Sequence, residues 1–137
     1  MADAPALETM PLRTSQDVVR ARQRVRDAAV AMGFSLVEQT KLVTAASELA
    51  RNTLDYGRGG DMTLERLESQ GGPGIRLVFT DEGPGIPDVE LALRDGYTTG
   101  RGLGMGLGGA RRLVGEMTID STPGSGTRIT VTKWKRG

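Results

Sequence analysis

Residues 100–109 read GRGLGMGLGG and run directly into ARRLV at 110–114. Six glycines in ten positions disfavour a regular helix or strand, because glycine loses more backbone freedom on ordering than any other residue. What offsets that cost is close approach of bare backbone to a bulky anion, with peptide N–H groups and a helix start turned toward phosphate oxygens. A flexible linker can have the same glycine density. Here, however, the interleaved residues are Leu103, Met105 and Leu107 rather than serines, so the segment is expected to pack. It reads as a folded lid leading into a helix.

Within this stretch Gly104, Gly106 and Gly109 match G-x-G-x-x-G. The context argues against a dinucleotide fold, since GYTTGR precedes the motif where a strand is required and a hairpin pattern follows it. No G-x-x-x-x-G-K-[ST] loop is present. Upstream, DEGPG at 81–85 follows the strand-like run IRLVFT. The Asp81 carboxylate could accept a hydrogen bond from an exocyclic amine such as that of adenine, while Gly83 and Gly85 let a base lie close to backbone. The same residues also make an ordinary turn.

Further upstream, Ser35 and Glu38 form an S-x-x-E capping box opening a helix that continues through KLVTAASELARNTLDY and halts at Gly57. On it Glu48 and Asn52 are one turn apart and share a face with Lys41, Thr44 and Asp55, beside an apolar stripe of Leu42, Ala46, Leu49 and Thr53. That polar face is either solvated or functional. Near a triphosphate, Asn52 offers a hard carbonyl oxygen to Mg²⁺, and Glu48 could orient or deprotonate an attacking hydroxyl.

An earlier helix is expected from Ser15 to Gly33, with Val18, Ala21, Arg22, Val25, Ala28, Ala29 and Met32 recurring at spacings of three and four. LETMPLRT at 7–14 suits a short edge strand that tolerates Pro11. MTLERLES and IRLVFT alternate as one hairpin, and EMTIDST and TRITVTKW, joined by PGSG, as another. VELALRD at 89–95 reads as a short helix and ARRLVGE at 110–116 as a third substantial one. Apart from the short helix, the order is β-α-α-β-β-α-β-β. It fits an α+β two-layer sandwich, a mostly antiparallel sheet with helices on one face.

A chain of 137 residues fits one domain, expected over 7–137 with a loose tail at 1–6. The formal net charge of +1 gives no field that selects nucleic acid or an anionic membrane. No apolar run approaches the ~18 residues of a membrane span, so a cytoplasmic location is expected. Cysteine and histidine are both absent, which excludes disulfides, thiolate or imidazole zinc sites, a Ser-His-Asp triad and a phosphohistidine relay within the chain. Arg101, Arg111 and Arg112 flank the glycines and could neutralise phosphate, contact a partner, or simply be solvated. Thr127 could face a base, or suit a β-branched strand position.

In chain order, E-x-x-x-N on a helix (Glu48, Asn52), D-x-G-x-G after a strand (Asp81, Gly83, Gly85), G-x-G-x-G before a helix (Gly102, Gly104, Gly106) and G-T in the last hairpin (Gly126, Thr127) resemble the N, G1, G2 and G3 boxes of the GHKL ATPase and kinase superfamily. The resemblance spans about residues 8–134 and implies the Bergerat ATP-binding fold. It gives Glu48 the part of general base, Asn52 that of Mg²⁺ ligand, and Asp81 that of adenine contact, with Gly83, Gly85 and Thr127 around the base. Gly102, Leu103, Gly104, Met105, Gly106 and Leu107 become the phosphate cradle, flanked by Arg101. Where many members place histidine shortly after the asparagine, this chain has Asp55, Tyr56 and Gly57.

The segments TASELARNTLDYGRGG and GYTTGRGLGMGLGGARRLV are most similar to the RsbT-like switch-protein serine kinases. That branch implies Mg-ATP-dependent phosphorylation of a serine on a STAS-domain antagonist, and activation of a PP2C-type phosphatase. Two alternatives share the same boxes: an anti-sigma factor that sequesters a sigma subunit and phosphorylates its own antagonist, and a non-catalytic adaptor whose ATP stabilises a docking surface.

Overall fold

The computed structural model describes residues 7–86, 89, 93 and 106–135. Two reciprocal caps set its helical layer. Ser35 Oγ accepts the Glu38 N–H at 3.1 Å while Glu38 accepts the Ser35 N–H at 3.3 Å, and α2 (Leu36–Asp55) follows. The same device, unnoticed in the sequence, opens α1 (Ser15–Ala31): Thr14 Oγ1 accepts from the Asp17 N–H at 3.1 Å and Asp17 accepts from the Thr14 N–H at 3.2 Å. Each pair satisfies N–H groups that a helix start leaves without intrahelical acceptors. The α1 stripe is buried at Val18, Ala21, Val25, Ala28 and Ala29, but Arg22, which shares its spacing, turns outward.

The strands β1 (Leu7–Leu12), β2 (Gly60–Leu67), β3 (Gly74–Asp81), β4 (Glu116–Ser121) and β5 (Thr127–Trp134) form one antiparallel sheet in the order β1-β2-β3-β5-β4. Pro11 lies on an edge strand, where a missing N–H is tolerated. Side chains alternate, and two transverse rows are apolar. Met62, Phe79, Ile129 and Ile119 are successive register partners, as are Leu64, Leu77, Val131 and Met117. These pack with Leu42, Ala46 and Leu49 of α2 and Val25 of α1 into a single core. The residues of α2 that close on its neighbours include Ala45, Ala46 and Ala50, small enough for helices to pack on both of its flanks.

Glycine density argues against helix before Ala110, yet α3 (Gly106–Val114) begins inside the glycine run. Leu107, Ala110 and Val114 are buried at helical spacing where α3 packs on α2. That burial outweighs a propensity cost of about 1 kcal/mol per glycine. Of the short helix expected at 89–95, only Val89 and Leu93 are described, and the Leu93 N–H donates to the Val89 carbonyl at 3.0 Å. The tail at 1–6 and the lid residues 101–105 lie outside the described residues.

The topology gives the sheet one functional end. Because β5 enters between β3 and β4, Gly60, Asp81, Thr127 and Ser121 line up as successive register partners across β2, β3, β5 and β4. The C-terminus of α2 reaches that line through the short turn 56–59.

Candidate active site

The last turn of α2 fixes the approach. The Asn52 carbonyl accepts N–H groups from both Tyr56, at 2.9 Å, and Gly57, at 3.2 Å, while the Gly59 N–H donates to the Thr53 carbonyl at 2.9 Å. Thr53 is buried, its hydroxyl donating to the Leu49 carbonyl at 2.9 Å. This winding brings Gly57 onto the end of β3. A Cβ built on Gly57 would overlap the Asp81 carboxyl group, and one on Gly83 would stand 2.8 Å from the Gly57 Cα. The N-box helix and the D-x-G loop are therefore in backbone contact.

Asp81 is half-buried, with Gly83 N–H donating to its Oδ1 at 2.8 Å. Burial pushes its carboxyl above the ordinary value, and the nearby N–H groups of Gly83 and Thr127 only partly counter it. An acceptor held by a backbone donor at the end of a sheet suits recognition of an exocyclic amine.

The last hairpin closes the third side. Gly126 has φ +94°, and a Cβ there would overlap the Asp81 carbonyl, so only glycine fits. Thr127 is 8% exposed, and its hydroxyl lies 3.0 Å from Ser121 Oγ. The hairpin also grips the loop: Gly124 N–H donates to the Pro84 carbonyl at 2.7 Å and Ile86 N–H donates to Ser121 Oγ at 2.7 Å.

Glu48 and Asn52 are half-buried on α2, not on a fully solvated face. Among the described residues, neither side chain has a hydrogen-bond or ion-pair partner. The described residues include no cluster of three or more histidine, cysteine or acidic side chains able to hold a metal alone. A single amide oxygen such as that of Asn52 is a fitting protein ligand for a magnesium ion that arrives with phosphate oxygens.

The arrangement matches known proteins along most of its length. Residues 37–136 fit the family model described as histidine kinase-, DNA gyrase B-, and HSP90-like ATPase. The chain belongs to this ATPase family. It is 42% identical over 125 residues to the serine/threonine-protein kinase RsbT of Bacillus subtilis, covering 91% of this chain and 94% of that one. It is 32% identical over 129 residues to the anti-sigma F factor of Thermoanaerobacter sp. (strain X514), covering 90% and 89%. Among solved structures, the RsbU and RsbW domains of Rv1364c from Mycobacterium tuberculosis superpose with a TM-score of 0.66 at 20% identity over 98% of this chain, which spans 33% of that larger one. The mycobacterial sensor histidine kinase MprB superposes with a TM-score of 0.57 at 21% identity, covering 94% and 97% of the two chains. Both share the fold.

As a member of this ATPase family, the chain differs in four respects from what its sequence suggests. Gly83 and Gly85 do not simply clear room for a base. Gly83 faces Gly57, and Gly85, at φ +80°, faces the Thr122 carbonyl, so both glycines are required by contacts of the loop with the rest of the protein. Leu107 is a core side chain, 6% exposed, which leaves only its backbone for a phosphate. Arg111 and Arg112 fall in the last turn of α3, where the helix dipole favours them, and not at the end nearest the glycines. Gly57 and Ser121 are the site residues the sequence hid: one was legible only as a helix stop, the other only as a strand residue.

A concavity of about 430 Å³ lies between α1 and α2, lined by Arg22, Gln23, Arg26, Val43, Thr44 and Ser47. It opens on the α1 side of α2, apart from Asp81 and Thr127. No helix among the described residues is long and apolar enough to cross a membrane.

Proposed function

We propose that this protein is a cytoplasmic ATP-dependent serine kinase that phosphorylates a STAS-domain antagonist in a partner-switching module and engages a PP2C-type phosphatase. The observation that carries this reading is the 42% identity to RsbT over nearly the full length of both chains. The junction of Asn52, Gly57, Asp81 and Thr127 supports it, because it supplies the parts a nucleotide needs.

In this reading the Asp81 carboxylate accepts from the adenine amine, and the N–H groups at the start of α3, together with residues 101–105, take the phosphates. Asn52 would hold Mg²⁺, which when bound neutralises charge on the β- and γ-phosphates. Glu48 orients the incoming serine and accepts its proton as the serine oxygen bonds to the γ-phosphorus. The bond to the β–γ bridging oxygen breaks, and ADP leaves. Little covalent chemistry is asked of the protein, so positioning and charge placement account for the rate. The chain has no histidine, so no phosphohistidine relay runs within it.

The test is incubation with labelled ATP, Mg²⁺ and a purified STAS-domain protein from the same cell. Label on a serine of that protein supports the reading, and labelling of neither protein contradicts it. A second reading is favoured by the relatives named anti-sigma F factor at 30–32% identity. In that case a pull-down recovers a sigma subunit. A third, the ATP-dependent docking adaptor, requires signalling to survive Glu48→Ala.

A further inference from the structure

The arginines of α1 at positions 20, 22, 24 and 26 divide into two pairs. Arg20 meets Asp17 at 2.8 Å, and Arg24 meets Glu8 at 2.8 Å and Asp27 at 3.4 Å, so these two are neutralised locally. Arg22 and Arg26 line the groove against α2 instead. Arg26 donates to the neutral Gln39 amide oxygen at 3.2 Å, and Arg22 has no hydrogen-bond or ion-pair partner among the described residues. Asp27, the acid next to Arg26 in sequence, accepts from Gln23 and Arg24 and leaves the groove without a carboxylate. The α2 wall adds Thr44 and Ser47, whose hydroxyls are without partners among the described residues, over the buried Val43.

The rim of this groove is apolar. Among the described residues five large apolar side chains are exposed, and four of them, Val19, Val30, Leu36 and Val37, lie on α1 and α2. Val19 and Val30 fall on the face of α1 that carries Arg22 and Arg26, three residues before the first and four after the second. Single exposed valines mean little, but a set that flanks one charged groove marks an interaction surface. A small free anion would use the guanidinium groups and leave the valines in water. A helix bearing two carboxylates one turn apart, with apolar side chains a turn beyond each, uses both. The 17 residues of α1 offer it about 25 Å of length. With a net charge of +1 the chain has no global field to draw such a partner, so recognition has to be local.

We propose that the groove between α1 and α2 is a docking site for an acidic amphipathic helix of a partner protein. Its paired carboxylates meet Arg22 and Arg26, with Thr44 and Ser47 as further donors, and its flanking apolar side chains cover Val19 and Val30. Because the groove lies apart from Asp81 and Thr127, a partner held here leaves the nucleotide site open.

The probe is a synthetic helical peptide as long as α1, carrying two glutamates one turn apart and a leucine one turn beyond each, titrated by fluorescence anisotropy into the full chain at low and high salt. Arg22→Gln and Arg26→Gln should each weaken binding about fivefold, and Val19→Ser about threefold, with ATP affinity unchanged. Arg22 has no partner to lose, so its substitution should leave the fold intact by circular dichroism. Arg128→Gln makes the same charge change on the exposed face of β5 and should leave peptide binding as in wild type. The proposal is overturned if wild type does not bind the peptide, or if Arg128→Gln weakens binding as much as Arg22→Gln does. Inorganic phosphate binding as tightly as the peptide would overturn it in favour of a simple anion site. A wild-type dimer by sedimentation equilibrium that Val19→Asp dissociates would overturn it in favour of a second copy of this chain.

Discussion

The carboxyl group of Asp81 occupies the space that a side chain on Gly57 would need. Two residues 24 positions apart in sequence thus meet with no room for a methyl group between them. The contact locks the end of the helix bearing Glu48 and Asn52 to the end of the strand bearing the proposed base acceptor. Gly57→Ala is expected to displace the carboxylate, lowering ATP affinity about tenfold and stability by about 1–3 kcal/mol. Gly71→Ala, whose nearest neighbour would be Ser69 Oγ at 3.9 Å, should change neither. Titration calorimetry and urea melts compare the two.

The raised carboxyl of Asp81 predicts a pH signature. Burial stabilises its protonated form in the folded protein, so ionisation costs stability at neutral pH, and this cost is relieved as pH falls through the folded value, above the ordinary 3.8. Accepting an amine requires the ionised form. ATP affinity should therefore weaken on acidification sooner than an ordinary aspartate would dictate. Asp81→Asn should bind ATP weakly at every pH and remove that dependence, as affinity measured across a pH series will show.

The role proposed for Glu48 separates binding from chemistry. Glu48→Gln keeps the shape of the side chain and removes the proposed proton acceptor, so phosphotransfer should fall about 10²- to 10⁴-fold with ATP affinity within about threefold. Equal losses in both would instead mark a binding residue. Single-turnover transfer measured beside equilibrium binding separates the two cases.

The cap that opens α1 is a stability prediction independent of function. Thr14→Ala removes the acceptor for the Asp17 N–H and should cost about 1 kcal/mol, as should Ser35→Ala at the start of α2. Denaturant midpoints test both, and nucleotide binding should be unaffected.

Glu8 bridges Arg24 of α1, at 2.8 Å, and Arg66 of β2, at 2.7 Å. Burial pushes its carboxyl up, but the hydrogen bonds and charges of the two arginines outweigh burial and hold it below the ordinary 4.5. A depressed carboxyl contributes stability above its unfolded value and loses it as pH falls through the lower folded value. Glu8→Gln should destabilise the protein at neutral pH and flatten the acid limb of the stability curve below about pH 4.5.

Elements with strong local signals were legible in the sequence. Ser35 and Glu38 announce α2 because a capping box is a contiguous pattern, and the alternation in MTLERLES and IRLVFT announces β2 and β3, which begin one or two residues earlier than the pattern suggests. The start of α3 was not legible. Glycine propensity opposes helix there, and only the burial of Leu107 and Ala110 against α2 reverses it. Asp81 and Thr127 stand out by residue type, whereas Gly57 and Ser121 acquire meaning only from neighbours far along the chain. Contacts such as Gly57 with Asp81, or Ser121 with Ile86, leave no periodic trace.

The most direct test is amide hydrogen exchange with and without ATP and Mg²⁺. Three separate segments, 52–59, 81–86 and 121–127, should be protected simultaneously, and all of that protection should be abolished in Asp81→Asn. Protection missing from any one of them, or confined to the groove of Arg22 and Arg26, would contradict a single nucleotide held at their junction.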